Sequence, residues 1–276
     1  GRSCDQKGGP DACVITAHDA KTGKEVWRTS TIARGSDPNN ATWGGTPLEK
    51  RMQLGAWMNA SYDPELHLLY MGTSVTAPAP KFMLAGNQYT YLYNNSTLAL
   101  DVRTGKIVWY YQHVIDHWDL DHTLPRILLD EQVAPDPKEV TWINPKIVRG
   151  KVYKVVTGIP GKTGIMYTLD RRTGEFLWAR PTVRQDVVSS IDGRTGEVIN
   201  NPADEFTHPD QALNICPACS GGKNWPAGAY SPQTRLMYMP LQNLCSGGTS
   251  AGPKTGPGQL CMGITYRSVM APGETD

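Results

Sequence analysis

Apolar and polar positions in this chain alternate in short runs, and one run returns three times, at 17–27, 99–109 and 168–178. The common form is [A/T]-x-D-x-x-T-G-x-x-x-W, carried by Asp19, Thr22, Gly23 and Trp27, by Asp101, Thr104, Gly105 and Trp109, and by Asp170, Thr173, Gly174 and Trp178. Each predicts a strand, a turn in which the glycine takes positive φ, and a return strand closing on Trp, hence a β-hairpin. Tyr62-Asp63-Pro64 leading into 67–72, and Tyr230-Ser231-Pro232 leading into 236–240, are variants of the same hairpin, and 192–196 predicts a further turn. Hairpin starts at 17, 62, 99, 168 and 230 fit one unit per ~40 residues plus insertions, the signature of a propeller. A Trp held at constant register can dock on a neighbouring sheet and tie blade to blade, which a sandwich does not require. The expectation is therefore an all-β propeller, a single domain over residues 1–276, with Pro/Gly-rich insertions at 35–47, 76–88, 201–228 and 246–258 as loops over one face, where binding groups usually sit.

Composition agrees with a turn-rich all-β chain: Gly 28 and Pro 21 among 276 residues, only 19% charged, eight Trp and three Phe. A net charge of +1 gives no electrostatic footprint for nucleic acid or an anionic membrane surface. No apolar run approaches the ~20 residues of a transmembrane helix. The chain opens on Gly1 without an initiating Met, so a processed chain or part of a longer one is expected. Six cysteines fall as Cys4/Cys13, Cys216/Cys219 and Cys245/Cys261. Disulfides in an oxidising compartment are expected, with connectivity left open. The Cys216-Pro-Ala-Cys219 pair also suits half a zinc site or a redox pair, but no second pair stands at zinc spacing, and Ser220 in place of His removes the c-type haem pattern.

The densest chemistry lies at 115–122, Ile-Asp-His-Trp-Asp-Leu-Asp-His, where Asp116, Asp119 and Asp121 fall within six positions. Three ionised carboxylates so close repel unless a cation or a buried proton sits among them, which points to a metal or base site. The plainer alternative is a solvated acidic turn between two strands.

With these features the chain resembles the quinoprotein alcohol dehydrogenases, eight-bladed propellers that use pyrroloquinoline quinone (PQQ), in five ordered stretches: 55–64, 95–101, 117–121, 161–171 and 221–225. Members are about twice this length, so the chain resembles a central portion of the propeller. The resemblance implies residue roles. Trp57 matches the indole floor beneath the planar quinone, which suits stacking. Asp119 matches the catalytic carboxylate that takes the alcohol proton and binds the metal. Asp121 stands where lanthanide-dependent members add a carboxylate ligand, since a trivalent ion needs more negative oxygen than Ca2+. Lys162 matches the cation that hydrogen-bonds the quinone carbonyls. Its Gly-Lys-Thr-Gly setting is not a phosphate-binding P-loop, because the earlier Gly is missing. Asn224 and Trp225 match a segment at the cofactor's far edge.

Two departures accompany the match. The metal-binding Asn of the family falls on Val75, whose side chain cannot ligate, so the hydroxyl of Thr76 or of Ser74, or a backbone carbonyl, is expected to substitute, with Thr76 named as the candidate ligand. No Glu stands before Val14, only Asp5 and Asp11. The resemblance implies a metal-assisted, PQQ-dependent alcohol dehydrogenase with Ca2+ or a lanthanide, a periplasmic location, a cytochrome c or similar electron acceptor, and the remaining portion of the propeller as partner. The contrasting expectation is a Trp-docked propeller that has lost its cofactor and serves as a protein-binding scaffold.

Overall fold

The computed structural model describes residues 10–251, 262–271 and 273. The chain is mostly β, and helix among these residues is limited to short 3-10 turns. The first hairpin pairs β1 (Val14–His18) with β2 (Glu25–Ser30). A four-stranded meander follows, β3 (Ser61–Asp63), β4 (Leu68–Gly72), β5 (Ser96–Asp101) and β6 (Ile107–Gln112), each strand antiparallel to the next. The next sheet uses β7 (Ile127–Gln132), β8 (Trp142–Ile143), β9 (Val152–Gly158), β10 (Ile165–Asp170) and β11 (Phe176–Pro181) in the order β7-β9-β10-β11-β8. It is the same meander with one short strand added at the outer edge. Beyond it, β12 (Val188–Ile191) pairs with β13 (Val198–Asn200). Then come β14 (Ala212–Ile215), β15 (Ala229–Ser231), β16 (Leu236–Tyr238), β17 (Leu244–Ser250) and β18 (Ile264–Met270). Of these, β15 pairs with β16, and β14-β17-β18 form a three-stranded sheet.

The turn chemistry is what the repeat demands. In the first hairpin Asp19 Oδ1 accepts from the backbone N–H of Lys21 and Thr22 and from the Thr22 hydroxyl, while Gly23 N–H bonds Asp19 O at φ +71°. Asp101 and Asp192 repeat these bonds. A side-chain oxygen mimicking a backbone acceptor, with Gly at the left-handed position, closes the turn without strain.

Two of the three repeated Trp residues dock on the next sheet as expected. The Trp27 indole N–H donates to Val102 O at 2.8 Å, and a Cβ on Gly105 would meet its ring at 2.5 Å, so only glycine fits the contact. Trp109 does the same one sheet on, donating to Arg171 O at 3.2 Å and covering Gly174. Trp178 departs from the series: its indole N–H has no hydrogen bond among the described residues, and the ring borders a cavity of about 280 Å3 with Tyr230 and Arg235. The β15–β16 hairpin on the far side of that cavity has Arg235 at φ +56° where the hairpins that receive Trp27 and Trp109 have glycine. Trp109 is 8% exposed at the centre of the largest core cluster, with Tyr70, Tyr111, Tyr167 and Phe176. Trp109→Ala is expected to cost about 3–5 kcal/mol, read as a lower midpoint in urea denaturation; an unchanged midpoint would remove blade docking as a source of stability.

Two of the expected loops contain sheet. Part of 201–228 forms β14 and part of 246–258 forms β17, because Gly247 and Gly248 pair in register with β14 and β18 in spite of their weak intrinsic strand preference. For the cysteines, whose connectivity the sequence left open, the structure supplies one pairing. Cys216 is joined to Cys245 across 29 positions, and Cys219 is a buried free thiol. Sheet pairing brings β17 beside the Cys216 turn, so spatial rather than sequence proximity set the partner. Cys13 is disulfide-bonded; Cys4 and Cys261 lie outside the described residues.

Candidate active site

The acidic stretch forms an irregular loop between β6 and β7, folded inward rather than solvated. Trp118 is its anchor: fully buried, it donates its indole N–H to Asp204 O at 2.7 Å, packs on Phe206 at 4.6 Å, and lies against Gly248 so closely that no Cβ fits there. That contact explains the glycine in β17.

Asp119 and Asp121 converge on one ammonium. Lys162 Nζ lies 3.2 Å from Asp119 Oδ1 and 3.1 Å from Asp121 Oδ2, and donates to Asp119 O at 2.9 Å. The main chain reinforces the contact, since Lys162 N–H bonds Asp121 O. Two buried carboxylates thus share one positive charge, and the site is short of another. Burial first and the Asp121 charge second push Asp119 up to about 8, against the pull of Lys162. Burial works against the Lys162 charge, but Asp121 and Asp119 outweigh it and hold the ammonium above the ordinary lysine range. Asp119 remains the most accessible of the three, with its side chain 15% exposed against 8% for Lys162 and 5% for Asp121.

The other expected site residues flank this group. Trp57, 42% exposed, follows Gly55, whose carbonyl accepts from Ser74 N–H and the Ser74 hydroxyl. The next residue, Val75, donates its N–H to Asp121 Oδ1 at 3.3 Å. The Trp57 segment is therefore tied through 74–75 to the acidic pair. On the other side Gly222 N–H bonds Lys162 O, and Gly221, at φ +87°, packs on the Lys162 stem. This loop carries Asn224, held by Ser220 O at 2.7 Å, and Trp225, 67% exposed.

Two carboxylates on a single ammonium leave a deficit of positive charge that fits a cation between them. The remainder of the expected ligand set does not join them. Val75 offers its N–H, a donor. The Thr76 hydroxyl is committed, donating to Pro78 O and accepting from Lys81 Nζ at 2.8 Å, so a lysine cation already uses the oxygen expected to bind metal. Asp11 points away to Arg34 at 2.7 Å; Asp5 lies outside the described residues. Among the described residues no three His, Cys, Asp or Glu side chains gather around a single point.

Sequence reasoning passed over Lys81 and Tyr266 in this region, and it weighed Cys219 only as a disulfide, zinc or redox partner. Lys81 is fully buried, donates to Thr76, to Ala79 O and to Asp116 O, and is pushed down to about 7 by burial against the opposing pull of Asp116 and Glu205. It lies in a segment read as loop, with no local mark of burial. Cys219 lies close enough to Asp119 to feel its charge, and burial pushes its thiol up to about 12, which makes it an inert thiol. Tyr266 pairs with Gly248 in β18, so its ring leaves the sheet on the Trp118 side; it too feels Asp119 and Lys162.

The sequence profile of the family described as glucose/ethanol/alcohol dehydrogenase, PQQ β-propeller domain, matches residues 3–193. The chain belongs to this family. It is 31% identical over 241 residues to the quinohemoprotein alcohol dehydrogenase ADH-IIG of Pseudomonas putida, covering 82% of this chain and 31% of that protein. It is 29% identical over 289 residues to the lanthanide-dependent methanol dehydrogenase of Methylorubrum extorquens, covering 95% of this chain and 45% of that protein. A europium-containing methanol dehydrogenase superposes with a TM-score of 0.77 at 26% identity, over 95% of this chain and 46% of that one. The chain thus spans less than half the length of these relatives and is a partial quinoprotein propeller.

Proposed function

We propose that the protein carrying this chain oxidises alcohols with PQQ as hydride acceptor, and that the Asp119–Lys162–Asp121 group is its reaction centre. The observation that carries this reading is the pair of buried carboxylates on one ammonium, one of them open to an incoming molecule and short of a positive charge. PQQ, when bound, supplies a two-electron acceptor, and a metal ion at Asp119 and Asp121 supplies the missing charge and polarises oxygen ligands. Asp119 takes the hydroxyl proton of the alcohol at a carboxylate oxygen as the C–H bond breaks. Lys162 holds that carboxylate in place and donates to oxygen that becomes negative during transfer. Trp57 offers a flat apolar face on one side, and the Asn224–Trp225 loop borders the other through Lys162.

Oxygen-only ligation suits a hard ion, Ca2+ or a lanthanide, and a second carboxylate at Asp121 favours the trivalent one. The Cys216–Cys245 disulfide supports an oxidising compartment such as the periplasm. Electrons would pass from the reduced quinone to a separate acceptor such as a cytochrome c.

The test is dye-linked alcohol oxidation by the full-length protein reconstituted with PQQ and either Ca2+ or La3+. Turnover is expected only when quinone and ion are both supplied, and Asp121→Ala is expected to lose more activity with La3+ than with Ca2+. Equal loss with the two ions would remove Asp121 as the added ligand. No quinone binding and no turnover with either ion would return the chain to the scaffold reading.

A further inference from the structure

Asp119 sits at φ +90°, a left-handed conformation that side chains other than glycine adopt at a cost of about 1–3 kcal/mol unless their surroundings impose it. The surroundings do so through Asp116. Its Oδ1 accepts from Trp118 N–H at 2.7 Å and its Oδ2 from Leu120 N–H at 2.5 Å, the two amides on either side of Asp119. One carboxylate thereby closes a tight turn with Asp119 at its apex. Asn95 braces the turn from behind, its Nδ2 donating to Asp116 Oδ2 at 3.3 Å and to Leu120 O at 3.0 Å. Lys81 fixes the start of the turn by donating to Asp116 O. Asp116 is 1% exposed and Asn95 is fully buried, so neither reaches an incoming molecule.

We infer that Asp116, braced by Asn95, is a positioning residue that aims the Asp119 carboxylate at the reacting hydroxyl; this rests on the reading of Asp119 as the base. A carboxylate is required because both of its oxygens accept from amides. Asn in its place keeps one acceptor and turns the other into a donor facing an N–H. The turn then relaxes toward ordinary φ and carries Asp119 off its line. A misplacement of about 1 Å at a reacting group can cost on the order of a hundredfold in rate.

The experiment compares Asp116→Asn, Asn95→Ala and Asp119→Asn in the full-length, quinone-loaded enzyme, reading kcat, KM, quinone absorbance and the isotope effect with a C-deuterated alcohol. For Asp116→Asn the expected result is a kcat lower by about 10- to 100-fold, with KM nearly constant, quinone content unchanged and an isotope effect larger than wild type, because the step in which the C–H bond breaks as Asp119 takes the hydroxyl proton becomes slower than the steps around it. A residue that only stabilised the fold would lower the melting temperature without that split. If Asp116→Asn fails to accumulate or loses quinone, Asn95→Ala decides: kcat lower by about 3- to 10-fold at constant KM supports the inference, and unchanged kcat overturns it. If Asp119→Asn is inactive while Asp116→Asn turns over at the wild-type rate, only the positioning role fails. If Asp119→Asn itself turns over normally, the base reading fails and this inference with it.

Discussion

Asp119→Asn is expected to lower kcat for alcohol oxidation by roughly a hundredfold to ten-thousandfold, the span that a positioned general base contributes. The substitution keeps the shape of the side chain and an oxygen for Lys162, and removes only the basic atom. It is also expected to leave the fold intact or firmer. Asp119 is pushed up to about 8 by burial and by Asp121, so its charge is held at a cost to folding. A carboxyl raised above its unfolded value is neutral and harmless in acid, and it removes stability as the pH rises from the unfolded value near 4 through 8. The variant is therefore expected to melt no lower than wild type at pH 8, with the quinone absorbance retained. Wild-type turnover would remove Asp119 from the chemistry, and a collapse in melting temperature would make it a structural residue.

Lys162→Met is expected to be damaging in a different way. The ammonium is the counter-charge within 4 Å of both Asp119 and Asp121, and removing one partner of a buried ionic group leaves uncompensated charge at a cost of about 3–5 kcal/mol. Asp119, already pushed up to about 8 with Lys162 beside it, would then hold its proton more tightly still in the folded state. The loss should be smallest below about pH 4, where the Asp119 carboxyl is largely neutral folded and unfolded alike, and should grow as the pH rises toward 8. Thermal melts at the two ends of that range measure it, and turnover is expected to fall with it because Asp119 loses its tether. A melting temperature equal to wild type at pH 8 would return Lys162 to an ordinary surface lysine, contrary to its position between the acidic side chains.

The repeat encodes much of the architecture. D-x-x-T-G turns are local, their bonds spanning three or four residues, so the hairpins could be placed from spacing alone. Trp27 and Trp109 follow the same logic one step further, since a large ring at fixed register needs a glycine turn to rest on. The logic fails at Trp178, because what it faces is the β15–β16 hairpin across a cavity, and that hairpin has Arg235 in place of glycine. The acidic stretch was legible as unusual, and Asp119 and Asp121 could be singled out within it. Asp116 could not be told from them, because its distinction lies in which amides it faces.

By itself the sequence determined the β class, the repeated hairpins, the quinoprotein family and the identity of the charged groups at the centre, all encoded in short-range pattern. Only the tertiary structure decided that Lys162 lies between Asp119 and Asp121, that Thr76 serves Lys81, that Cys216 joins Cys245 and that Asp116 braces Asp119. These depend on burial and on partners up to 43 positions apart, as between Lys162 and Asp119. The energy of a charge or a polar group is set by what surrounds it once water is excluded, and a linear sequence does not specify that surrounding.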